Sequence, residues 1–323
     1  MVNAKKITVI GCGRWGSFLA WYTARLGHTV TLYGRSGSRH MQQFQKTRSN
    51  DLLRLPEEIR LSESLQCAAD ADIILISIDS QGLRALMRQI RDEIAPTGKI
   101  FVLCMKGIEI NTGKRLSEIA AEYVGAQNKI AIWLGPGHVQ EFTKGNMNCM
   151  VIDSSDPKTK DDLIRAFSGD LIRFYYGNDM IGNEIGAAAK NVIGIAAGML
   201  DGKHLSSLKG ALMSRGTREV ARLIVAMGGN ELSAYGLCHL GDYEATVFSP
   251  YSHNRAYGEA FVRGEAYVQL AEGVYTVQAL VRLGEKYHVE LPICNAVYRI
   301  LFENYPPTEA MRELFLREQK PEF

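Results

Sequence analysis

Short apolar runs alternate with longer amphipathic segments through the first 180 residues. The apolar runs have the length and composition of strands: Ile7–Ile10, Thr29–Tyr33, Ile73–Ile78, Lys99–Leu103, Lys129–Leu134, and more weakly Met150–Asp153 and Leu171–Tyr175. Between the first two, Ser17–Leu26 predicts a helix that ends at Gly27. Continuous apolar strands separated by helices predict a parallel sheet covered on both faces.

The pattern changes after about residue 182, where strand-like runs almost vanish. The remaining periodic segments predict helices: Glu184–Leu200, Ser207–Met227, Gly273–Tyr287, Arg299–Asn304 and Glu309–Glu318. A chain of 323 residues is also long enough for about two domains. We therefore predict an α/β domain over residues 1–182 and an all-α domain over residues 183–323.

The composition excludes several classes of protein but indicates no particular reaction. Lys and Arg number 37 against 35 Asp and Glu, a net charge of +2, so no bulk attraction to nucleic acid or anionic lipid is expected. No apolar stretch approaches the ~18 residues of a membrane span. Six scattered cysteines form no C-x-x-C pair, and the histidines show no metal-binding spacing. These features predict a cytoplasmic protein with reduced thiols and no metal.

The first turn carries the motif G-x-G-x-x-G, formed by Gly11, Gly13 and Gly16. It follows a strand and opens a helix, which is the context that makes the motif informative. The first glycine allows the tight turn, the second lets the backbone approach a pyrophosphate, and the third lets helix and strand pack closely. A Rossmann-type dinucleotide-binding domain is therefore predicted, against the simpler alternative of a glycine-rich turn without a ligand.

The end of the second predicted strand bears on the choice of dinucleotide. A ribose-binding acid is expected about 20 residues beyond the glycines. The chain instead has Gly34-Arg35-Ser36, with Arg39 close by. Because a guanidinium suits a 2′-phosphate, NADP(H) is favoured and NAD(H) remains possible. In the alternative interpretation, Arg35 only covers the adenine face and both cofactors bind.

Lys190 stands out at the start of the helical half. Its neighbours at helical spacings of three and four include Gly186, Ala187 and Gly194, so its surroundings on the helix are nearly bare. Such a face lets a ligand approach the amine, or lets another helix pack tightly beside an ordinary lysine.

Two polar segments follow. Asp242 could pair with a lysine and hold it charged or correctly aimed. Ser252-His253-Asn254-Arg255 has the composition of a helix start, with Ser and Asn as candidate caps. Such a start is a good phosphate site. In the alternative interpretation it is plain capping beside a surface arginine.

Together these motifs resemble one family, the NAD(P)-dependent sn-glycerol-3-phosphate dehydrogenases of the bacterial soluble type, in the 6-phosphogluconate dehydrogenase-like superfamily. The resemblance runs almost end to end. It rests on Gly11–Gly16, Lys106-Gly107, Gly135-Pro136 with Glu141, Gly186–Val192, Ala211–Gly216 with Arg215, Gly241-Asp242, Ser252–Arg255 and Glu272-Gly273.

The resemblance implies hydride transfer between nicotinamide and C2 of glycerol 3-phosphate, in phospholipid biosynthesis. Lys190 would be the general acid and base, Asp242 would position it, and Lys106 would lie between nicotinamide and substrate. Implied cofactor contacts are Gly11, Gly13, Arg14, Trp15, Gly16, Arg35, Lys106, Val139, Leu270 and Glu272. Implied substrate contacts are Lys106, Gly135, Gly137, Asp242, Ser252, His253, Asn254 and Arg255.

Three positions depart from the family pattern. Gly137 replaces a serine, His253 replaces an arginine, and His239 stands where a small residue is common. Two alternatives therefore stay open: a dehydrogenase of the same fold acting on another small polyol phosphate or 2-hydroxy acid, and a non-catalytic NADP(H)-binding sensor. The expected partners are a small phosphorylated substrate and a second copy in a homodimer, without nucleic acid.

Overall fold

The computed structural model describes residues 4–319 and 321–322. The chain forms two compact units. The first runs to Lys106 and resumes over Lys114–Met180, and the second contains Gly107–Gly113 and the described chain from Ile181 onward. Nothing in the sequence pattern indicates the short excursion over 107–113.

An eight-stranded sheet forms the centre of the first unit. Its strands are β1 Lys6–Ile10, β2 Thr29–Tyr33, β3 Arg60–Ser62, β4 Ile73–Ile76, β5 Ile100–Leu103, β6 Lys129–Leu134, β7 Asn148–Ser154 and β8 Ile172–Tyr176. Their order is β3-β2-β1-β4-β5-β6-β7-β8. The Rossmann-type α/β fold predicted from the alternating pattern is confirmed. The three-residue β3 is too short to have shown a pattern of its own.

One ladder differs from the parallel sheet that the sequence predicts. β7 pairs antiparallel with β6, whereas β8 is again parallel to β7. The connection between β6 and β7 holds only the five-residue helix α5, Val139–Thr143. A parallel crossover usually contains a full helix that runs back along the sheet, and a five-residue helix does not span the strands, so this connection reverses the chain instead.

The remaining helices of the first unit pack around this sheet: α1 Arg14–Arg25, α2 Arg39–Thr47, α3 Leu83–Ile94, α4 Leu116–Ala121 and α6 Pro157–Phe167. Aromatic side chains dominate the core. Trp133 of β6 stacks on Phe167 with ring centroids 5.0 Å apart. Tyr22 is fully buried, and its hydroxyl donates to the Phe167 carbonyl at 2.7 Å. A buried tyrosine needs such an acceptor, so α1 and α6 are joined specifically.

In the second unit the described residues form helices joined by loops and contribute no strand to the sheet, which confirms the all-α prediction. Its long helices are α7 Met180–Gly202, α8 Lys209–Ala226, α9 His253–Arg263, α10 Glu272–Tyr287, α11 Pro292–Phe302 and α12 Pro307–Phe315. α7 is buried on nearly every side between residues 182 and 199. In the described part of the chain, no helix combines the length and hydropathy needed to cross a membrane.

Candidate active site

The glycine motif forms a tight turn between β1 and α1. Gly11 has a φ of +111°, and a Cβ placed on it would lie 2.0 Å from the Ser77 carbonyl oxygen. A Cβ on Gly16 would lie 1.8 Å from the Gly11 carbonyl oxygen. Neither separation is possible for a real side chain, so the turn requires glycine at both positions.

Gly13 has a different environment from the other two glycines. It is the N-cap of α1, and a Cβ added to it would meet no atom within 4 Å. Open space therefore lies in front of the first amides of α1, which carry partial positive charge. Arg14 is exposed beside this space, whereas Trp15 packs on Phe18 with ring centroids 5.0 Å apart. The turn fits the pyrophosphate of a dinucleotide, because donors and room occur together.

Arg35 is the second residue after β2 and is exposed. Helix α2 begins four residues later, capped by Ser38, whose hydroxyl accepts a bond from Met41 N at 3.4 Å. The residues between Tyr33 and Arg39 include no carboxylate. The place where a ribose-binding acid would stand thus carries a guanidinium.

A second group of predicted residues lies at the ends of β5 and β6. Lys106 follows β5, and its Nζ donates to the carbonyl oxygen of Gly135, just beyond β6, at 2.7 Å. Gly137 and Val139 come next, and Val139 begins α5. Because β1, β5 and β6 run in the same direction, this group and the glycine turn share one edge of the sheet. Ligands of open α/β sheets bind along this edge.

Gly137 is surrounded too closely for the serine that the family pattern has there. Its φ is +152°, and a Cβ would lie 2.4 Å from the ring of Phe142. We expect Gly137→Ser to lower the free energy of unfolding by about 1–3 kcal/mol, since overpacking adds to backbone strain. Gly145→Ser is the matched control, with a φ of +89° and nothing within 4 Å of its Cβ. Equal losses in a urea titration would contradict the steric explanation.

Lys190 forms a buried ion pair in the second unit. Its Nζ lies 3.0 Å from Asp242 Oδ2, and the two side chains are 8% and 1% exposed. Asp242 ends a 3₁₀ turn, Leu240–Asp242. Burial of both charges is tolerated because each offsets the other. The pairing predicted from sequence is thus present as a contact.

Thr246 completes this arrangement and was not among the predicted residues. Lys190 Nζ donates to Thr246 Oγ1 at 2.6 Å, and that hydroxyl donates to the main-chain oxygen of Asp242 at 2.7 Å. Thr246 follows Asp242 by four residues, within the π-helical turn Glu244–Phe248. The four-residue spacing is the sequence feature that could have indicated it. Lysine, carboxylate and hydroxyl therefore form one group with a fixed amine direction.

His239 immediately precedes the 3₁₀ turn Leu240–Asp242 and is fully buried. Its Nδ1 lies 2.8 Å from the Gly186 carbonyl oxygen, and its Nε2 lies 2.8 Å from the Tyr243 hydroxyl. Burial, the dominant cause, lowers the pKa of His239 to about 4, against the opposing bond to Gly186. The imidazole is therefore neutral near neutral pH, with Lys190 and Asp242 as the nearby charges.

This neutral histidine makes stability depend on pH. A histidine in the unfolded chain has a pKa near 6.5. Below that pH the unfolded chain binds a proton that the folded chain does not bind, so stability falls as pH falls from 6.5 towards 4. Between pH 7 and pH 5 we expect His239 to account for a loss of about 2 kcal/mol in unfolding free energy. His239→Asn should lack this component in paired denaturant titrations. Identical pH dependence in both proteins would contradict the assignment.

The bare face around Lys190 is filled by helix α9. A Cβ on Gly194 would lie 3.3 Å from Asn254 Cβ, and one on Gly198 would lie 1.9 Å from the Arg255 carbonyl oxygen. Of the two alternatives left open for this face, tight helix packing is thus present. It also brings the start of α9 within about one turn of Lys190 along α7.

The start of α9 uses its polar residues in different ways. Ser252 is the N-cap and accepts from Arg255 N at 3.3 Å, as predicted. Asn254 Oδ1 accepts from Gly273 N at 2.9 Å and so joins the first turns of α9 and α10. His253 Nδ1 contacts the Tyr267 hydroxyl at 2.9 Å. The predicted substrate contacts Ser252, His253 and Asn254 therefore all lie at the start of α9.

Arg255 is engaged by acids at its guanidinium end. Nη1 lies 2.7 Å from Asp201 Oδ2 and 3.2 Å from Glu259 Oε2. Leu270 is half exposed before α10, and Glu272 is the first residue of that helix. The roles of Leu270 and Glu272 stay predictions.

Both units match family models. Residues 6–160 match the N-terminal model of NAD-dependent glycerol-3-phosphate dehydrogenase, and residues 179–312 match its C-terminal model. The chain is 36% identical to a glycerol-3-phosphate dehydrogenase [NAD(P)+] of Chlorobium limicola, over 98% of this chain and 99% of that protein. A protein of the same name from Fusobacterium nucleatum is 34% identical, with 98% coverage of both chains.

Solved structures agree. The crystal structure of glycerol-3-phosphate dehydrogenase from Coxiella burnetii superposes with a TM-score of 0.90 at 29% identity, covering 97% of this chain and 99% of that one. D-mandelate dehydrogenase in its ternary complex with NADH and anilino(oxo)acetate, at a TM-score of 0.65 and 15% identity, shares the fold alone. The chain belongs to the NAD-dependent glycerol-3-phosphate dehydrogenase family.

Proposed function

We propose that this protein interconverts sn-glycerol 3-phosphate and dihydroxyacetone phosphate with NAD(P)(H). The observation that carries the proposal is the buried Lys190–Asp242 pair in a chain of this family. A buried, carboxylate-paired amine is a proton donor and acceptor with a fixed direction. Relatives along the full length are named for the same reaction and for NAD(P)+.

Lys190 would carry out the proton transfer. In ketone reduction its ammonium donates a proton to the carbonyl oxygen, and in alcohol oxidation its amine accepts the hydroxyl proton. Asp242 and Thr246 hold Nζ at 3.0 and 2.6 Å, which orients the amine before substrate arrives. The nicotinamide, when bound, supplies or accepts the hydride at C2. Water exclusion follows from the burial of the pair.

The dinucleotide would be held along the edge of the sheet. The turn of Gly11, Gly13 and Gly16 and the first amides of α1 would take the pyrophosphate. We assign further contacts to the remaining predicted positions: Arg14, Trp15, Arg35, Lys106, Val139, Leu270 and Glu272. Lys106, fixed by the Gly135 carbonyl, would present its positive charge to the reacting end of the substrate.

The substrate phosphate would bind at the start of α9. Ser252, His253 and Asn254 place hydroxyl, imidazole and amide groups around a helix N-terminus, which favours anions. Arg255 would add positive charge nearby while Asp201 holds its guanidinium. Gly135 and Gly137 would line the glycerol part with backbone alone.

We also propose a preference for NADPH over NADH, based on Arg35 and the missing carboxylate. Arg35→Gln is expected to raise KM for NADPH about 10-fold, since it removes a charge-assisted partner of the 2′-phosphate, and to leave KM for NADH unchanged. Arg54→Gln, an exposed arginine paired with Glu57, is the matched control. Equal KM changes for both cofactors in steady-state assays would refute this role.

A substrate panel tests the function. Purified protein receives NADPH or NADH with dihydroxyacetone phosphate, other small keto phosphates or 2-oxo acids, and loss of the reduced nicotinamide absorbance is followed. The proposal predicts the highest kcat/KM with dihydroxyacetone phosphate. A higher value with another ketone supports the second dehydrogenase hypothesis. NADPH binding without turnover of any ketone supports the sensor hypothesis.

The setting of the reaction follows from the same chemistry. All six cysteines are free, which suits the reducing cytoplasm that we propose as its location. Reduction there supplies glycerol 3-phosphate for phospholipid head groups.

We retain the homodimer as a proposal, since most soluble oligomers are homo-oligomers, and sedimentation of the purified protein tests it.

A further inference from the structure

We propose that His239 and Tyr243 are positioning residues that clamp the turn carrying Asp242 and thereby hold its carboxylate against Lys190. The proposal rests on the proposed function, in which Lys190 transfers the proton. We call the pair the His239–Tyr243 clamp. Neither residue was assigned a role by the sequence, where His239 was only an unusual replacement for a small residue.

His239 ties the turn to the helix that carries Lys190. A carbonyl oxygen cannot donate, so the Nδ1 of His239 carries the proton and donates to Gly186 O at 2.8 Å. Gly186 lies one turn before Lys190 on α7. A Cβ on Gly186 would lie 2.9 Å from His239 Cβ, so the imidazole occupies the room that this glycine leaves. The turn is therefore anchored close to Lys190.

Tyr243 holds the turn from its other end. With Nδ1 protonated, the neutral imidazole has its lone pair on Nε2, which accepts from the Tyr243 hydroxyl at 2.8 Å. The two rings lie edge to face with centroids 4.9 Å apart. The same hydroxyl is 3.4 Å from Thr217 Oγ1 on α8. Tyr243 therefore connects the turn to α8 while His239 connects it to α7.

Asp242 lies between these two anchors. Its backbone N–H donates to His239 O at 3.0 Å, and Tyr243 is the next residue in the chain. The clamp thus fixes the backbone on both sides of Asp242, whose Oδ2 reaches Lys190 Nζ at 3.0 Å. The buried bond between His239 and Tyr243 thereby fixes the position of the Asp242 carboxylate. A carboxylate fixed in this way orients the amine that it faces and favours its charged form.

A double-mutant cycle tests the clamp. Tyr243→Phe and His239→Asn each break the bond between them, and the asparagine amide can still donate to Gly186 O. We expect each to lower kcat for dihydroxyacetone phosphate about 10-fold with KM for NADPH unchanged. Because both remove the same bond, the double variant should lose no more than either single variant.

A pH profile separates positioning from mere stability. An amine with a displaced carboxylate loses its proton at lower pH, so the alkaline limb of kcat for reduction should move down by about one unit in Tyr243→Phe. Tyr22→Phe is the matched control, since it removes an equally buried hydroxyl that donates at 2.7 Å in the first unit. It should lower stability and leave the profile in place.

Two results would overturn the clamp. One is a loss of kcat in the double variant equal to the product of the two single losses, and the other is a pH profile of Tyr243→Phe that coincides with that of Tyr22→Phe. If the wild-type protein fails to reduce dihydroxyacetone phosphate, the proposed function fails separately. The clamp is then judged by labelling Lys190 with acetic anhydride across pH. A midpoint lowered in Tyr243→Phe but not in Tyr22→Phe supports it, and an unchanged midpoint overturns it.

Discussion

Lys190→Met is expected to lower kcat for dihydroxyacetone phosphate reduction about 1,000-fold while leaving Kd for NADPH within about twofold. The thioether keeps the length and most of the volume of the side chain but can neither donate nor accept the proton. Asp242 would also lose its partner at 3.0 Å, so some loss of stability should accompany the loss of rate. Steady-state kinetics and cofactor fluorescence titrations measure the two quantities.

Lys160→Met controls for the removal of a partly buried lysine. Its Nζ donates to Gly177 O at 2.7 Å and lies 3.6 Å from Asp153, with 14% of the side chain exposed. It lies at none of the predicted site positions, so kcat should stay within about twofold of the wild-type value. If Lys190→Met retained a comparable rate, the acid–base assignment would be wrong.

Gly13→Ala is expected to weaken NADPH binding about 100-fold while lowering the free energy of unfolding by no more than about 1 kcal/mol, the cost of alanine at the N-cap of α1. Its Cβ would meet no protein atom within 4 Å, so the fold can accept the methyl group. The same space is where the pyrophosphate would approach the first amides of α1, and a methyl group there keeps it at a distance.

Gly210→Ala is the matched control for Gly13→Ala. A Cβ on Gly210 also meets nothing within 4 Å, and the residue lies in helix α8, far along the chain from the glycine turn. It should leave the affinity for NADPH unchanged. Unaltered cofactor binding in Gly13→Ala would place the pyrophosphate elsewhere.

Seven of the eight strands of the first unit were predictable from the sequence because they are apolar runs bounded by turn residues, whereas β3 is not. β2 and β6 appear with the predicted bounds, Thr29–Tyr33 and Lys129–Leu134. The direction of β7 could not be predicted in the same way. It depends on the connection after β6, where α5 is too short for a crossover, and local apolar pattern carries no direction.

The candidate site was predictable where neighbours in the chain are neighbours in space. Ser252 caps α9 through a bond to Arg255 N, a contact that short spacing indicates. The pairing of Arg255 with Asp201 spans 54 positions, and that of His239 with Gly186 spans 53. Such contacts depend on how α7, α8 and α9 pack, which residue spacing does not encode.

Transfer of deuterium to dihydroxyacetone phosphate from NADPH that carries deuterium at both C4 positions of the nicotinamide tests the central claim most directly. The wild-type protein should give glycerol 3-phosphate with deuterium at C2, and Lys190→Met should give almost none in the same time although it binds the cofactor. Wild-type protein that binds the labelled cofactor yet forms no C2-labelled glycerol 3-phosphate would contradict the proposed reaction.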